Sequence, residues 1–288
     1  MNDYQRIEIN SSGSELKDRD FSRLSQLIYK ECGIWLPAAK KTMLSTRLVK
    51  RLRTLRLSSF ADYYDYVTSL EGRLSEMPHM IDVVSTNKTD FFRESSHFDY
   101  LQQTLLPQLV RRKSVGRAIR VWSAGCSSGE EPYTLAMTLV EWMERNTTVN
   151  SSILATDISR RILEKARLAI YPKDCLRAVP PHLSHRFFMR GKGAQSNMVR
   201  VVPEIRNLVT FRWLNLMEPF INIDLMDIIF CRNVIIYFDR DTQSRLMDKY
   251  MNALVPGGHL FLGHSETLNG INDRFIPIKP TIYQRPEE

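Results

Sequence analysis

The chain reads as an α/β protein in which a largely parallel, doubly wound sheet follows a small all-helical N-terminal domain and carries an inserted antiparallel β-subdomain. Three observations lead there. From residue 119 onward strand-like and helix-like patterns alternate, and such alternation implies parallel strands joined by crossover helices. Residues 18 to 75 show helical spacing throughout. Inside the alternating region, RFFMRGKGAQSNMVRVV places two strand-like runs around a Gly-containing loop, the pattern of a hairpin.

The elements follow in order. Residues 1 to 17 are a polar tail, and DFSRLSQLIYKECGIWL opens the helical domain of residues 18 to 75. Its second helix, residues 40 to 57, carries Lys40, Lys41, Arg47, Lys50, Arg51, Arg53 and Arg56 with no acid among them. Leu44, Leu48, Leu52 and Leu55 recur at spacings of four, four and three, so they share one stripe and leave Arg47, Lys50, Arg51 and Arg53 on another arc. SSFADYYDYVTSLEG then reads as a helix capped by Ser58 or Ser59. Pro78 interrupts the pattern, and residues 76 to 95 read as a linker that returns to the site. A helix over Tyr100 to Lys113 leads into the alternating strand and helix region, 96 to 288. There IRVWSAG, SSILATDIS, LVTFRWLNL and MDIIFCRNVIIYF read as strands; PYTLAMTLVEWMER, RRILEKARLAI and DTQSRLMDKYMNALV read as helices. PGGHLFLGH and PTIYQR close the sheet, and the insertion spans about 176 to 210.

Composition narrows the class of protein. With 288 residues, 43% hydrophobic and 25% charged, the chain has ample material for a core and is no disordered tail. Cys32, Cys126, Cys175 and Cys231 are widely spaced, with no CxxC pair and no His cluster at metal-ligand spacing, so they read as reduced thiols and no metal is expected. No apolar run approaches the ~20 residues of a membrane span, which with the polar start points to a cytoplasmic protein with no membrane insertion. The net charge of +8 favours an acidic partner. The basic face suits an acidic helix or a phosphate backbone equally, and an ordinary solvated surface also accounts for it.

In a doubly wound sheet, ligands sit beyond the carboxyl ends of the strands. The residues there are AGCSSGEEPY, Asp157 in ATDIS, Asn215 in LNL, and CRN at 231 to 233. A pyrophosphate loop would be damaged by Glu130 and Glu131, because two carboxylates at a helix start occupy its positive end and repel phosphate. GxGxxG is also absent. The loop therefore favours a nucleoside ligand with positive charge and no phosphate, and S-adenosylmethionine, with its ammonium and sulfonium, is such a ligand. Asp157 lies 32 residues beyond Gly125, and an acid there can accept ribose hydroxyls.

VWSAGCSSGEEPY, STNKTDFFRE, ATDIS, FCRNVIIYF and GHSE, in that order, resemble the chemotaxis receptor methyltransferases of the CheR family over nearly the whole chain. The resemblance implies a Rossmann-like S-adenosylmethionine methyltransferase fold with a helical N-terminal domain and an inserted β-subdomain. It implies methyl esterification of glutamates on the cytoplasmic helices of chemoreceptors, with S-adenosylhomocysteine as product. By the same resemblance Asn87, Thr89 and Arg93 of the linker, Glu131, Asp157, Asn215, Leu216, Arg232 and Asn233 bind the cofactor. Arg93, Arg232 and Tyr237 flank the methyl-transfer pocket and are the catalytic candidates. Arg93 suits the methionine carboxylate as a bidentate fork, Asp157 the ribose, and Glu131 the ammonium or another polar group. Which carboxylate meets the ammonium stays open.

The resemblance also assigns the basic arc Arg47, Lys50, Arg51 and Arg53 to docking acidic methylation helices. It offers the β-subdomain as the dock for a C-terminal receptor tail added as an edge strand. The enzyme is expected to act as a monomer and to bind no nucleic acid: where exocyclic-amine methyltransferases carry a [DN]PP[YF]-type tetrapeptide after the fourth strand, CRNV stands here. A cofactor-sensing module without activity is the other alternative, and the intact Asn87, Arg93, Glu131, Asp157 and Tyr237 speak against it. GHSE, with Ser265 and His264, lacks the GxSxG elbow of a hydrolase and reads as structural.

Overall fold

The computed structural model describes residues 15–112, 117–146 and 150–288; most of the tail expected over residues 1 to 17, and Lys113 at the end of an expected helix, lie outside them. The chain forms two compact units, Met1–Thr86 and Asn87–Glu288.

In the first unit, α1 (Asp18–Cys32) buries Phe21, Leu24, Leu27 and Ile28 and stops at Gly33, whose left-handed φ of 74° turns its N–H back to the Tyr29 carbonyl. The helical reading had carried on to Leu36. Helix α2 (Lys41–Leu55) buries Leu44, Leu48 and Leu52, as the four-residue spacing requires. Ser59 caps α3 (Phe60–Thr68) by accepting from the Asp62 amide. Ser69 is extended at ψ 163°, so it ends α3 and caps α4 (Leu70–Ser75) in place of the single helix expected. Pro78 does not interrupt the helical pattern: it stands in the first turn of α5 (Met77–Val84), where its missing N–H costs nothing. Much of the stretch read as linker is thus a helix, and the extended segment starts at Ser85.

The second unit begins with α6 (Ser96–Tyr100) and α7 (Leu106–Arg112), joined by a π-helical turn at Leu101–Leu105. Then come β1 (Ile119–Ala124), α8 (Glu130–Asn146), β2 (Ser151–Asp157) and α9 (Arg160–Leu168). The insertion follows as β3 (Ile170–Pro172), α10 (Pro181–Phe187), β4 (Phe188–Arg190) and β5 (Met198–Val201). Helix α11 (Pro203–Arg206) leads back to β6 (Val209–Trp213) and β7 (Met226–Cys231). The chain closes with α12 (Arg240–Ala253), β8 (Leu254–Leu262), β9 (Ile276–Lys279) and β10 (Ile282–Gln284).

The large sheet has the order β6-β2-β1-β7-β8-β10-β9. Its first five strands are parallel, with Val121 opposite both Ile153 and Ile228, and β10 runs antiparallel to β8 and β9. Strands buried on both faces need continuous apolar runs, and β7 is buried at every position. Phe230 stacks on Phe261 at 4.3 Å between ring centroids, and the Trp122 indole donates to Thr156 Oγ1 at 2.9 Å. Because β2 and β7 lie on opposite sides of β1, the order reverses there, and the crevice of a doubly wound fold opens beyond the carboxyl ends of β1 and β7.

The smaller sheet has the order β3-β5-β4, all antiparallel. It starts earlier than the hairpin alone suggested: Ala169, left-handed at φ 55°, ends α9, and Ile170 pairs with Arg200 instead of extending the helix. VIIYF is not strand either; Ile235–Tyr237 is a single 3-10 turn. Among the described residues no helix is long and apolar enough to cross a membrane.

Candidate functional site

The loop after β1 makes three left-handed residues out of five, Gly125 at φ 85°, Ser127 at φ 49° and Gly129 at φ 98°. A Cβ on Gly125 would lie 2.5 Å from the Val234 side chain, so the close approach of the β1 and β7 loops requires glycine there. The Gly125 and Cys126 amides donate to the Thr156 carbonyl, and the Ser127 amide donates to Asp157 Oδ2 at 2.8 Å. Asp157 Oδ1 accepts the Ser159 amide at 2.9 Å. Two backbone donors therefore fix this carboxylate at the end of β2, and a carboxylate has about four acceptor positions in all. The Ser127 hydroxyl donates to the Asn87 carbonyl at 2.9 Å, which fastens the 87–95 segment to the same loop. Phe91, fully buried, anchors that segment edge-on against Tyr171 and Phe188, and the Phe92 amide donates to Thr134 Oγ1.

The two acids after the loop have different environments. Glu130 is buried and takes the Ser128 hydroxyl at 2.7 Å; burial pushes its carboxyl up to about 7. Glu131 turns inward, where Ser123 donates to Oε1 at 2.7 Å and the Arg232 Nε lies 3.2 Å from Oε2. Burial raises the Glu131 carboxyl against the opposing pull of Arg232. Arg232 is itself 6% exposed, stands 3.6 Å from Glu94 Oε2, and donates through Nη2 to the Arg93 carbonyl at 2.5 Å. Burial works against ionisation of Glu94, but Arg232 and the His264 amide outweigh it and hold the carboxyl below its ordinary value. The fold thus brings Arg93, Glu131 and Arg232 together from three separate segments, with Glu94 completing the cluster. Glu94, His97 and His264 also offer ligand atoms within 4.8 Å of one another, a grouping that sequence spacing gave no reason to expect.

Asn233 adopts φ 59° and donates its amide to Glu266 Oε2 at 2.8 Å; its side chain lies 3.5 Å from Glu94. Glu266, 5% exposed, also accepts the Gly263 and Ile236 amides, so it holds the β7 and β8 loops together. This residue escaped a reading of the sequence for chemistry, although GHSE was its visible signal. His264 faces Ser96 at 3.3 Å. Tyr237 is half-buried in the turn after Asn233, and Thr89 is half-buried in the 87–95 segment. The Arg93 guanidinium donates to the Lys88 carbonyl at 3.2 Å. Asn215 is buried beyond β6 with Oδ1 accepting the Met217 amide, and the Leu216 carbonyl accepts from Lys249.

The basic arc of the helical unit divides. Arg51 forms a two-pronged pair with buried Glu76, at 2.9 and 2.6 Å, and Arg47 donates to the Val84 and Ser85 carbonyls and to Thr86 Oγ1. Both are engaged within their own unit. Lys50 and Arg53 are exposed.

Residues 87–284 match the family model described as CheR methyltransferase, SAM binding domain, and residues 19–85 match CheR methyltransferase, all-alpha domain. The chain is similar to the chemotaxis protein methyltransferase of Borreliella burgdorferi, 40% identical over 283 residues that cover 97% of this chain and 96% of that protein. It is 40% identical to chemotaxis protein methyltransferase 2 of Pseudomonas aeruginosa, covering 92% of each, and 41% identical to the chemotaxis protein methyltransferase of Escherichia coli, covering 93% and 91%.

Proposed function

The chain belongs to the CheR methyltransferase family and is an S-adenosylmethionine-dependent methyltransferase of chemotaxis; we propose that it forms γ-glutamyl methyl esters on the cytoplasmic helices of chemoreceptors. The observation that carries the reading is the mixed charge of the crevice, where one buried arginine stands between two glutamates beside a loop that excludes phosphate. Two buried atoms of that cluster, Arg232 Nε and Glu94 Oε2, have no hydrogen-bond partner among the described residues. A ligand carrying both a carboxylate and an ammonium would answer such a pair, so the residues fit the cofactor.

Asp157 takes the ribose, directed by its two loop amides, and Asn215 with Leu216 borders the adenine. Glu131 sets the charge that the cationic end of the cofactor meets. Arg93 holds the methionine carboxylate, supported by Asn87 and Thr89 of the same segment and by Asn233 opposite. When bound, the cofactor supplies a methyl group on a cationic sulfur, whose displacement leaves S-adenosylhomocysteine.

The acceptor needs little chemical help. A glutamate carboxylate is ionised near neutral pH, so no general base is required. The protein's contribution is alignment, which removes much of the orientational cost of an in-line displacement. In this reading Tyr237 and Arg232 steady one acceptor oxygen while the other attacks, and a hold any tighter would stabilise the ground state. Lys50 and Arg53 are the cations left for an acidic receptor helix, with Arg47 and Arg51 shaping the helix that carries them. A receptor tail adds as a strand beside β3 or β4, the edges of the small sheet, near exposed Ile170 and Met189. The enzyme works in the cytoplasm as a monomer on these receptor segments.

The test mixes the purified protein with methyl-labelled S-adenosylmethionine and chemoreceptor-bearing membranes. Label released as methanol by mild base is the expected result, because carboxyl methyl esters are base-labile. Stable label, or none while calorimetry still shows cofactor binding, overturns the glutamate reading.

A further inference from the structure

We propose that Glu94, His97 and His264 form a binding site for Zn2+ or a similar divalent transition-metal ion, and that its occupancy disarms Arg232 and so inhibits methyl transfer. The donor set is two imidazoles and one carboxylate, which suits zinc with a fourth position left to water. Their ligand atoms lie within 4.8 Å of one another, and the Glu94 Oε2 to His97 Nδ1 separation is 3.7 Å. A tetrahedral ion with bonds of about 2.1 Å needs its ligands about 3.4 Å apart. The Glu94–His97 pair is nearly at that spacing, and the remaining approach falls to the exposed side chain of His264.

The hydrogen bonds fix which nitrogen of His97 is available. The Arg232 guanidinium, which can only donate, lies with Nη1 3.4 Å from His97 Nδ1, so Nδ1 is the acceptor and Nε2, 2.9 Å from the Thr281 hydroxyl, is the donor. Nε2 therefore carries the hydrogen, and the Nδ1 lone pair, shared with Arg232, lies 3.7 Å from Glu94 Oε2. An imidazole that donates its other N–H to a second group is the arrangement that orients metal-binding histidines. Glu94 Oε2 has no hydrogen-bond partner among the described residues. Two acceptors thus stand close together, with the Arg232 guanidinium 3.4 Å from His97 Nδ1 and 3.6 Å from Glu94 Oε2. A cavity of about 540 Å³ opens on His97 and His264, walled by Ser96, Asp99, Lys279 and Thr281, and gives an ion a way in.

An ion bound there takes Glu94 and His97 from Arg232 and repels the guanidinium. Arg232 is left with Glu131 and the Arg93 carbonyl, and its orientation in the crevice is lost. The inhibition half of the proposal rests on the reading of Arg232 at the transfer site; the binding half does not.

The experiment titrates the metal-free full chain with Zn2+ by calorimetry without cofactor, and with Co2+ by visible absorption. His264→Ala and His264→Gln are the variants, since this exposed side chain is outside the cofactor and acceptor contacts. Wild type is expected to bind one ion and to show cobalt bands without a thiolate contribution. Both variants should bind about tenfold more weakly or worse. Methyl transfer by wild type should fall as the site fills and recover with chelator, while the variants keep their basal rate and ignore the same zinc concentration. Equal binding in wild type and both variants, or thiolate-to-cobalt bands from Cys175, overturns the site. A filled site with undiminished transfer overturns the inhibition and leaves the methyltransferase assignment untouched.

Discussion

Arg51 in the helical unit is held against buried Glu76 and Arg232 in the catalytic unit against half-buried Glu94 and Glu131, but only the first pair is closed. Arg51 meets Glu76 through two short bonds, and the Tyr63 hydroxyl donates to the same carboxylate at 2.8 Å. Arg232 sits between Glu94 and Glu131 at 3.6 and 3.2 Å, with its Nε lacking a hydrogen bond among the described residues. A buried charge is costly unless it is paired and hydrogen-bonded. The closed pair is therefore complete as architecture, whereas the open one is a place where a ligand improves the balance. Geometry alone separates the two, since both are an arginine and a glutamate distant in sequence.

The largest effect should come from opening the closed pair. Arg51→Met leaves the Glu76 carboxylate buried without its counter-charge, and the helical unit should lose roughly 3–5 kcal/mol of stability in chemical denaturation. A change below about 1 kcal/mol would mean that solvent replaces the arginine and that the pair is not structural.

Glu130 gives the next test, as a buried acid beside Glu131 with a hydroxyl in place of a guanidinium. Its carboxyl is raised from 4.5 to about 7 by burial. Below the unfolded value both states are protonated, and the wild type has no penalty. As pH rises through the interval the unfolded state loses its proton first, so stability falls, by about 3 kcal/mol at most once the folded carboxyl has ionised. Glu130→Gln should therefore melt higher than wild type at about pH 8 and alike at about pH 4. Parallel melting curves at both would refute the burial penalty.

Glu131→Gln probes the open pair directly. It keeps an acceptor for Ser123 but removes the charge opposite Arg232, so S-adenosylhomocysteine should bind about ten- to hundredfold more weakly, roughly 1.4–2.8 kcal/mol. Unfolding free energy should change by less than about 1 kcal/mol. The reverse pattern would make the pair architectural after all. The smallest effect is expected at the surface: Lys50→Glu with Arg53→Glu should raise the receptor KM several-fold, about 1 kcal/mol, without touching cofactor affinity. An unchanged KM removes the basic helix from receptor docking.

Much of this was legible in residue order, and the misses have physical causes. Leu44, Leu48 and Leu52 declared their stripe because helical period alone decides it. Ser69 and Pro78 misled because an extended serine can end one helix and start another, and proline is as good at a first turn as it is bad in an interior. VIIYF looked like strand by composition, but Asn233 turns left-handed and Glu266, more than thirty residues on, collects its amides. Of the basic arc, periodicity showed that four cations share a face; it could not show that Arg47 and Arg51 spend theirs on partners within the unit.

Residue order was enough for the parallel sheet, the helical domain, the inserted strands and the family, because each is carried by local period or by contiguous motif. The folded chain was needed to pair Arg232 with Glu131 and Glu94, to orient His97 through Thr281 and to bring His264 beside them. Those groups lie up to 184 residues apart, and whether such groups meet, at what distance and with which atom facing, depends on sheet order and on burial that no local pattern records.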